Sequence, residues 1–144
     1  MTTIRHVGLV VSDLDKMIDF YSNVFGFRLT MRKTETGPYI ETLVGLPGVR
    51  IEWAKLTDAT GMLLELLRYN SHPEVPTIPP VQRHGCSHIA LSVTDIRSTL
   101  KRLAECGGSV GPLQQNPEKT FLVAYTRDPE GIPLELVEGI PQQL

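Results

Sequence analysis

Apolar residues along this chain switch between two spacings, and the switch occurs twice in the same order. Residues 4–11 and 86–93 are rich in β-branched and aliphatic side chains, which predicts strands. Ser12-Asp13 and Thr94-Asp95 follow, offering side-chain oxygens to the free amides of a helix start. Leu14, Met17, Ile18, Tyr21 and Phe25 then recur at helical spacing, as do Ile96, Leu100, Leu103 and Ala104. Gly26 and Gly107-Gly108 end these helices. Strand-like runs come next: 27–32, 39–44, 49–56 and 62–68 in the first half, 121–126 and 133–138 in the second, with a weaker one near Ser109. The order predicts an α+β chain of two tandem βαβββ modules, each sheet with one face under a helix.

The two halves are a repeat. Residues 6–26 and 88–108 align without a gap at a constant offset of 82, matching His6 with His88, Leu9 with Leu91, Asp13 with Asp95 and Gly26 with Gly108. Each half closes on an apolar run holding one glutamate, Glu65 and Glu135, at an offset of 70. The first half therefore carries about a dozen extra residues before its last strand. Between the halves Pro73, Pro76, Pro79 and Pro80 preclude a continuous helix or ladder. We expect one domain over 1–144, with module 1 at about 1–70, a linker at about 71–84 and module 2 at about 85–144.

Composition narrows the function classes. At 144 residues there is no room for two large domains. A net charge of −2 gives no broad positive field, which argues against nucleic acid as a partner. No segment approaches the roughly 18 unbroken apolar residues of a membrane span, and the first residues lack signal-peptide chemistry. Two cysteines, Cys86 and Cys106, make no disulfide framework and match no zinc spacing. A soluble cytoplasmic protein without a membrane partner is the expectation.

Strand parity gives the histidines a direction. His6, Gly8 and Val10 share one face and Val7, Leu9 and Val11 the other; His88, Ala90 and Ser92 oppose Ile89, Leu91 and Val93. The bulky face can cover a helix, so each histidine looks away from it beside a small neighbour. Glu65 stands among Leu63, Leu64, Leu66 and Leu67, which predicts a strand buried on both faces, and Glu135 keeps similar company. A buried carboxylate is costly unless compensated. One possible partner is an arginine, with Arg5, Arg50, Arg68 and Arg127 available. The other is a divalent cation met by both histidines and both glutamates, if the repeats pack as a pseudo-symmetric pair. Imidazole with carboxylate suits Zn, Ni, Co, Mn or Fe(II) and disfavours Ca, and four protein ligands with open positions make a catalytic site.

The openings HVGLVVSDLDKMIDFYSNVFGF and HIALSVTDI and the closing DPEGIPLELVE resemble the vicinal-oxygen-chelate superfamily over nearly the whole chain. That group includes glyoxalase I, methylmalonyl-CoA epimerase, extradiol dioxygenases and bleomycin-type resistance proteins. The resemblance implies a curled mixed sheet with a metal-binding cleft. It also implies ligands from the first and last strands of each module, which are here His6, Glu65, His88 and Glu135 around one ion. A full His/Glu pair in both halves favours the glyoxalase and epimerase branch. The epimerase usually has glutamine where this chain has Glu65, yet residues 34–41, TETGPYIE, resemble the epimerase segment carrying a second acid/base glutamate, here Glu41. A glutathione-site Asn-Trp-Gly segment of the glyoxalase I kind is missing.

The implied activity is that of a metal-dependent isomerase, epimerase or lyase. It removes a proton next to a metal-chelated carbonyl of a small substrate, such as a thiol adduct or CoA thioester, through an enediolate. Glu135 is the first choice of base, Glu65 the second and Glu41 a further partner. The alternatives are a non-catalytic small-molecule-binding or antibiotic-resistance protein, and an Fe(II)-dependent dioxygenase. Superfamily habit makes a homodimer the expectation. Weaker signals are Cys86 as a small buried filler, His72 and His84 as solvated linker residues, and Trp53, Tyr39, Phe121 and Tyr125 as pocket or core. Arg50, Lys55 and Arg127 are possible anion contacts.

Overall fold

A computed structural model describes residues 1–141. The chain divides into two compact units, Met1–Val75 and Pro76–Leu144, and the division falls inside the proline-rich stretch. The first unit runs β1 (His6–Val10), α1 (Leu14–Phe25), β2 (Arg28–Glu35), α2 (Pro38–Val44), β3 (Ile51–Thr57) and β4 (Leu63–Tyr69). Its sheet has the order β1-β4-β3-β2, with β1 parallel to β4 and the other pairs antiparallel. The second unit runs β5 (Ile89–Ser92), α3 (Ile96–Glu105), β6 (Ser109–Val110), β7 (Gln114–Gln115), β8 (Phe121–Arg127) and β9 (Pro133–Gly139). Its order is β5-β9-β8-β6, β7 also pairing with β8. The α+β class and doubled βαβββ order stand, but as two mixed sheets, one per unit, in place of one curled sheet. In the second unit the third element of the motif is broken: β6 and β7 both lie along β8, and between them Pro112 has no amide to donate to the ladder.

Both helices start as the capping chemistry predicts. Asp13 accepts from the Lys16 amide at 3.0 Å and Asp95 from the Ser98 amide at 2.9 Å. Helix α1 buries Leu14, Met17 and Tyr21 against β3 and β4, where Ala54, Leu56, Leu64 and Leu66 are also buried. Each large side chain so buried contributes about 1.5–3 kcal/mol. Arg32 ties this layer together, donating to Asp15 of α1 and, at 2.9 Å, to Glu52 of β3. In the second unit Ile96, Leu100 and Leu103 of α3 are buried, as are Leu134 and Leu136 of β9.

Residues 39–44 are not a strand, as their β-branched and aromatic content suggested, but helix α2. Its ends decide this. Pro38 has its φ pre-set for a first helical turn and lacks only an amide that would have no partner there. Gly45 closes the helix in the left-handed region at φ 73, its amide bonded to the Glu41 carbonyl. Helix α2 lies within the dozen residues by which the first half exceeds the second. Its Ile40 and Val44 pack on Ile51, Trp53, Leu67 and Tyr69. Strand parity puts those four on the sheet face opposite α1, so part of the face left open by the repeat is roofed by this insertion.

A second repeated device sets the register of the last hairpin in each unit. Asp58 Oδ1 accepts from the amides of Thr60 and Met62 at 2.8 and 2.9 Å, and Gly61 sits at φ 89. Asp128 Oδ1 accepts from the amides of Glu130 and Ile132, both at 2.9 Å, and Gly131 sits at φ 87. The aspartate closes the turn on its own backbone, and the glycine takes a conformation that a side chain would strain. These turns pair Thr57 with Leu63 and Arg127 with Pro133, and so bring Lys55 opposite Glu65 and Tyr125 opposite Glu135.

Candidate metal centre

Each unit brings its own imidazole and carboxylate together. In the parallel pair of β1 and β4, Gly8 lies beside Glu65 and His6 beside Leu63, so His6 and Glu65 are diagonal neighbours on one face. His6 Nε2 is 3.0 Å from Glu65 Oε2. In the second unit Ala90 lies beside Glu135, and His88, immediately before β5, reaches across the same diagonal. His88 Nε2 is 3.1 Å from Glu135 Oε2. The small residue at Gly8 and Ala90 leaves the carboxylate space to turn toward the ring. The arginine alternative fails for both glutamates, since a histidine of the same repeat is the partner.

The two faces of β4 are not equally buried, contrary to the expectation from its leucines. Leu64 and Leu66 face α1 and are buried, whereas the Glu65 side chain keeps 14% of its surface in solvent and that of Glu135 keeps 24%. The reason is unequal cover: α1 packs on β3 and β4 across one face, while on the other α2 packs on Ile51, Trp53, Leu67 and Tyr69. A carboxylate that keeps some solvent and an imidazole partner needs no buried counter-ion to be tolerated.

The donor atoms suit a divalent ion within each pair. Metal–nitrogen and metal–oxygen bonds of about 2.0–2.2 Å place adjacent ligand atoms roughly 3 Å apart, the separation already present here. His6 Nδ1 is buried and has no hydrogen-bond partner among the described residues, so the ring is held only through Nε2 and by packing. Among the described residues no group of three or more His, Cys, Asp or Glu that could hold an ion is gathered; what is brought together is His6 with Glu65 and His88 with Glu135.

The neighbours of the two pairs differ. His88 Nδ1 lies 2.5 Å from Ser87 Oγ and 3.2 Å from Tyr125 Oη, and the Tyr125 ring stands edge-on to the imidazole at 5.1 Å. Tyr125 was legible only as an aromatic strand residue; Ser87 carried no signal beyond its place next to His88. At the position matching Tyr125 the first repeat has Lys55, whose ammonium lies 4.9 Å over the Trp53 ring. Trp53 Nε1 donates to Glu35 at 3.0 Å, and Lys33 pairs with Glu35 at 3.0 Å. Those two donors, Lys33 first, hold the Glu35 carboxyl below the usual carboxylate range.

Glu41 sits in the first turn of α2, half-buried, and its carboxylate has no hydrogen bond or ion pair among the described residues. Cys86 is exposed, not the buried filler expected, because the segment before β5 runs outside the ladder. His72 and His84 are exposed. Arg127 donates to the carbonyls of Gly131 and Pro79, both at 2.8 Å, and so anchors residues before β5 onto the last hairpin. No helix among the described residues is long and apolar enough to cross a membrane.

A family model described as Glyoxalase/Bleomycin resistance protein/Dioxygenase superfamily matches residues 3–136. The chain belongs to this superfamily, the vicinal-oxygen-chelate group. A glyoxalase family protein from Bacillus cereus has the same fold, with a TM-score of 0.91 at 26% identity over 98% of this chain and 96% of that one. A probable lactoylglutathione lyase from Vibrio cholerae is 34% identical over 140 residues, 94% of this chain and 90% of that protein. The fosfomycin resistance protein FosX from Listeria monocytogenes, solved with Mn(II) and sulfate ion, shares the fold at a TM-score of 0.64 and 17% identity, covering 97% of this chain and 94% of that one. The superfamily assignment agrees with the duplicated βαβββ order.

Proposed function

We propose that this glyoxalase-superfamily protein is a metal-dependent lyase that acts on a thiol adduct of a small 2-oxo aldehyde. The observation that carries the reading is the duplicated pair, His6 with Glu65 and His88 with Glu135, at 3.0 and 3.1 Å. It is supported by a relative named probable lactoylglutathione lyase that matches along nearly the full length. Binding proteins of this fold have no need of the same two ligand types in both repeats.

His6 with Glu65, and His88 with Glu135, are the residues that would hold a divalent ion. When bound, the ion supplies a Lewis acid that lowers the energy of charge developing on a carbonyl oxygen. The residues do the rest. Glu135, with a quarter of its side chain open to solvent, can leave its partner and take the proton from the carbon next to the carbonyl. His88 keeps its ring in place meanwhile, through Ser87 and Tyr125. Returning the proton to the adjacent carbon completes an isomerisation within the adduct, and Glu65 is the second group able to carry it. Glu41 would serve only an epimerase reading, which requires bases on opposite sides of the carbon.

The test combines metal analysis with proton NMR in deuterated water. The purified protein should carry a stoichiometric transition metal that is lost in both His6→Ala and Glu135→Ala. Hemithioacetals of methylglyoxal with glutathione should turn over with solvent deuterium entering the product, and acyl-CoA thioesters should stay silent. A metal-free, inert protein across both panels would return the reading to small-molecule binding.

A further inference from the structure

The two pairs repeat one geometry but differ in what holds the far side of the ring, and that difference has a chemical consequence. An ionised Glu135 only accepts, so its 3.1 Å bond to His88 takes a proton on Nε2, and in the neutral ring that leaves a lone pair on Nδ1. A ligand histidine needs the opposite arrangement, with Nε2 offering its lone pair and the proton on Nδ1. The partner of Nδ1 must therefore accept in one state and donate in the other. A hydroxyl does both. Ser87 Oγ at 2.5 Å and Tyr125 Oη at 3.2 Å are such partners. In the first repeat the corresponding positions are Arg5 and Lys55, side chains that can only donate. Lys55 is drawn over Trp53 instead, and His6 Nδ1 is buried with no partner among the described residues. A proton arriving on His6 Nδ1 would meet no acceptor.

We propose that Tyr125 and Ser87 are positioning residues that hold the His88 ring with Nε2 toward Glu135 and accept a hydrogen bond from Nδ1–H when a divalent cation takes Nε2 and the proton passes through solvent to Nδ1, so that the His88–Glu135 pair holds a divalent cation more tightly than the His6–Glu65 pair. This rests on the reading of His88 and His6 as metal ligands. It goes beyond that reading by ranking the two His–Glu pairs and by naming the groups responsible. The ranking follows from this chain's own departures from its repeat, a serine for an arginine and a tyrosine for a lysine.

The experiment uses the full-length protein with 15N-labelled histidine, with Zn(II) as the probe. In the metal-free protein His88 should show the Nε2–H tautomer, and Zn(II) should convert it to Nδ1–H with both hydroxyl partners in place. The double variant Ser87→Ala/Tyr125→Phe should give mixed His88 tautomers and weaken Zn(II) binding about 10- to 100-fold in a chelator competition. Tyr125→Phe alone should lose less, because Ser87 remains, and Ser87→Thr in the Tyr125→Phe background should keep the single tautomer. His88→Ala should cost more Zn(II) affinity than His6→Ala. Unchanged His88 tautomers and affinity in the folded double variant would overturn the positioning role, and equal losses in the two alanine variants would overturn the ranking. A wild-type protein that takes up no Zn(II) while holding the Nε2–H tautomer would overturn the ligand reading instead.

Discussion

Gly8 lies directly beside Glu65 in the parallel pair of β1 and β4, and the Glu65 carboxylate turns past it to His6 at 3.0 Å. A Cβ added at Gly8 would meet Leu67 Cδ1 at 3.3 Å, a flexible side-chain end that can give slightly. Gly8→Ala should therefore be mild, as Ala90 in the second repeat indicates. Gly8→Val should crowd the same space and weaken divalent-metal binding roughly tenfold, the scale seen when a ligand's support is disturbed. A titration with Zn(II) that gives the same affinity for Val as for Gly would show that the space is not needed.

Glu135→Gln keeps shape and hydrogen-bonding but cannot take a proton. With the proposed adduct, kcat should fall about 10²- to 10⁴-fold while KM changes little. Steady-state kinetics on the metal-loaded protein checks this, and a KM rise with kcat intact would make Glu135 a ligand alone.

Stability should fall at acid pH through Asp58. Its hydrogen bonds from Thr60, side chain first and then backbone, hold its carboxyl below the ordinary value. A carboxyl depressed in the folded state stabilises fully above the unfolded value of about 3.9, and that contribution fades as pH falls through the folded one. Urea unfolding from pH 6 downward should show this loss, and Asp58→Asn should flatten the slope below about pH 4.5. Equal slopes in both proteins would remove Asp58 from the account.

Helix α2 depends on Gly45, at φ 73 with open space around it, so Gly45→Ala meets backbone strain without any clash. The cost should be about 1–2 kcal/mol. Trp53, the chain's one tryptophan, packs under α2 and gives the readout: its emission should shift red if the helix lifts.

Leu66 of β4 is fully buried on the sheet face that packs against α1. Leu66→Ala should destabilise by about 2–5 kcal/mol through lost transfer energy and a cavity. Chemical denaturation measures it, and a loss below 1 kcal/mol would mean that the layer collapses to fill the space.

Much was legible along the chain because the signals are local. Helix caps at Asp13 and Asp95 need only three residues of context. The direction of His6 and His88 follows from the two-residue period of a strand, which no tertiary contact can reverse without flipping every neighbour. Helix α2 misled because its residues suit strands; Pro38 and Gly45 at its ends carried the better signal, one that outweighs side-chain propensity over seven residues.

The amino-acid order by itself determined the duplication, the two βαβββ modules and the presence of one histidine and one glutamate at matching places in each. Tertiary structure alone decided that those two residues touch, at 3.0 and 3.1 Å, because the contact crosses strands joined only by hairpin register and parallel pairing. It also decided that Tyr125 and Ser87 back His88 while His6 Nδ1 stands alone among the described residues. Such inequality between repeats is invisible to periodicity. A spacing rule says which way a side chain points, and only the folded sheet says what it meets there.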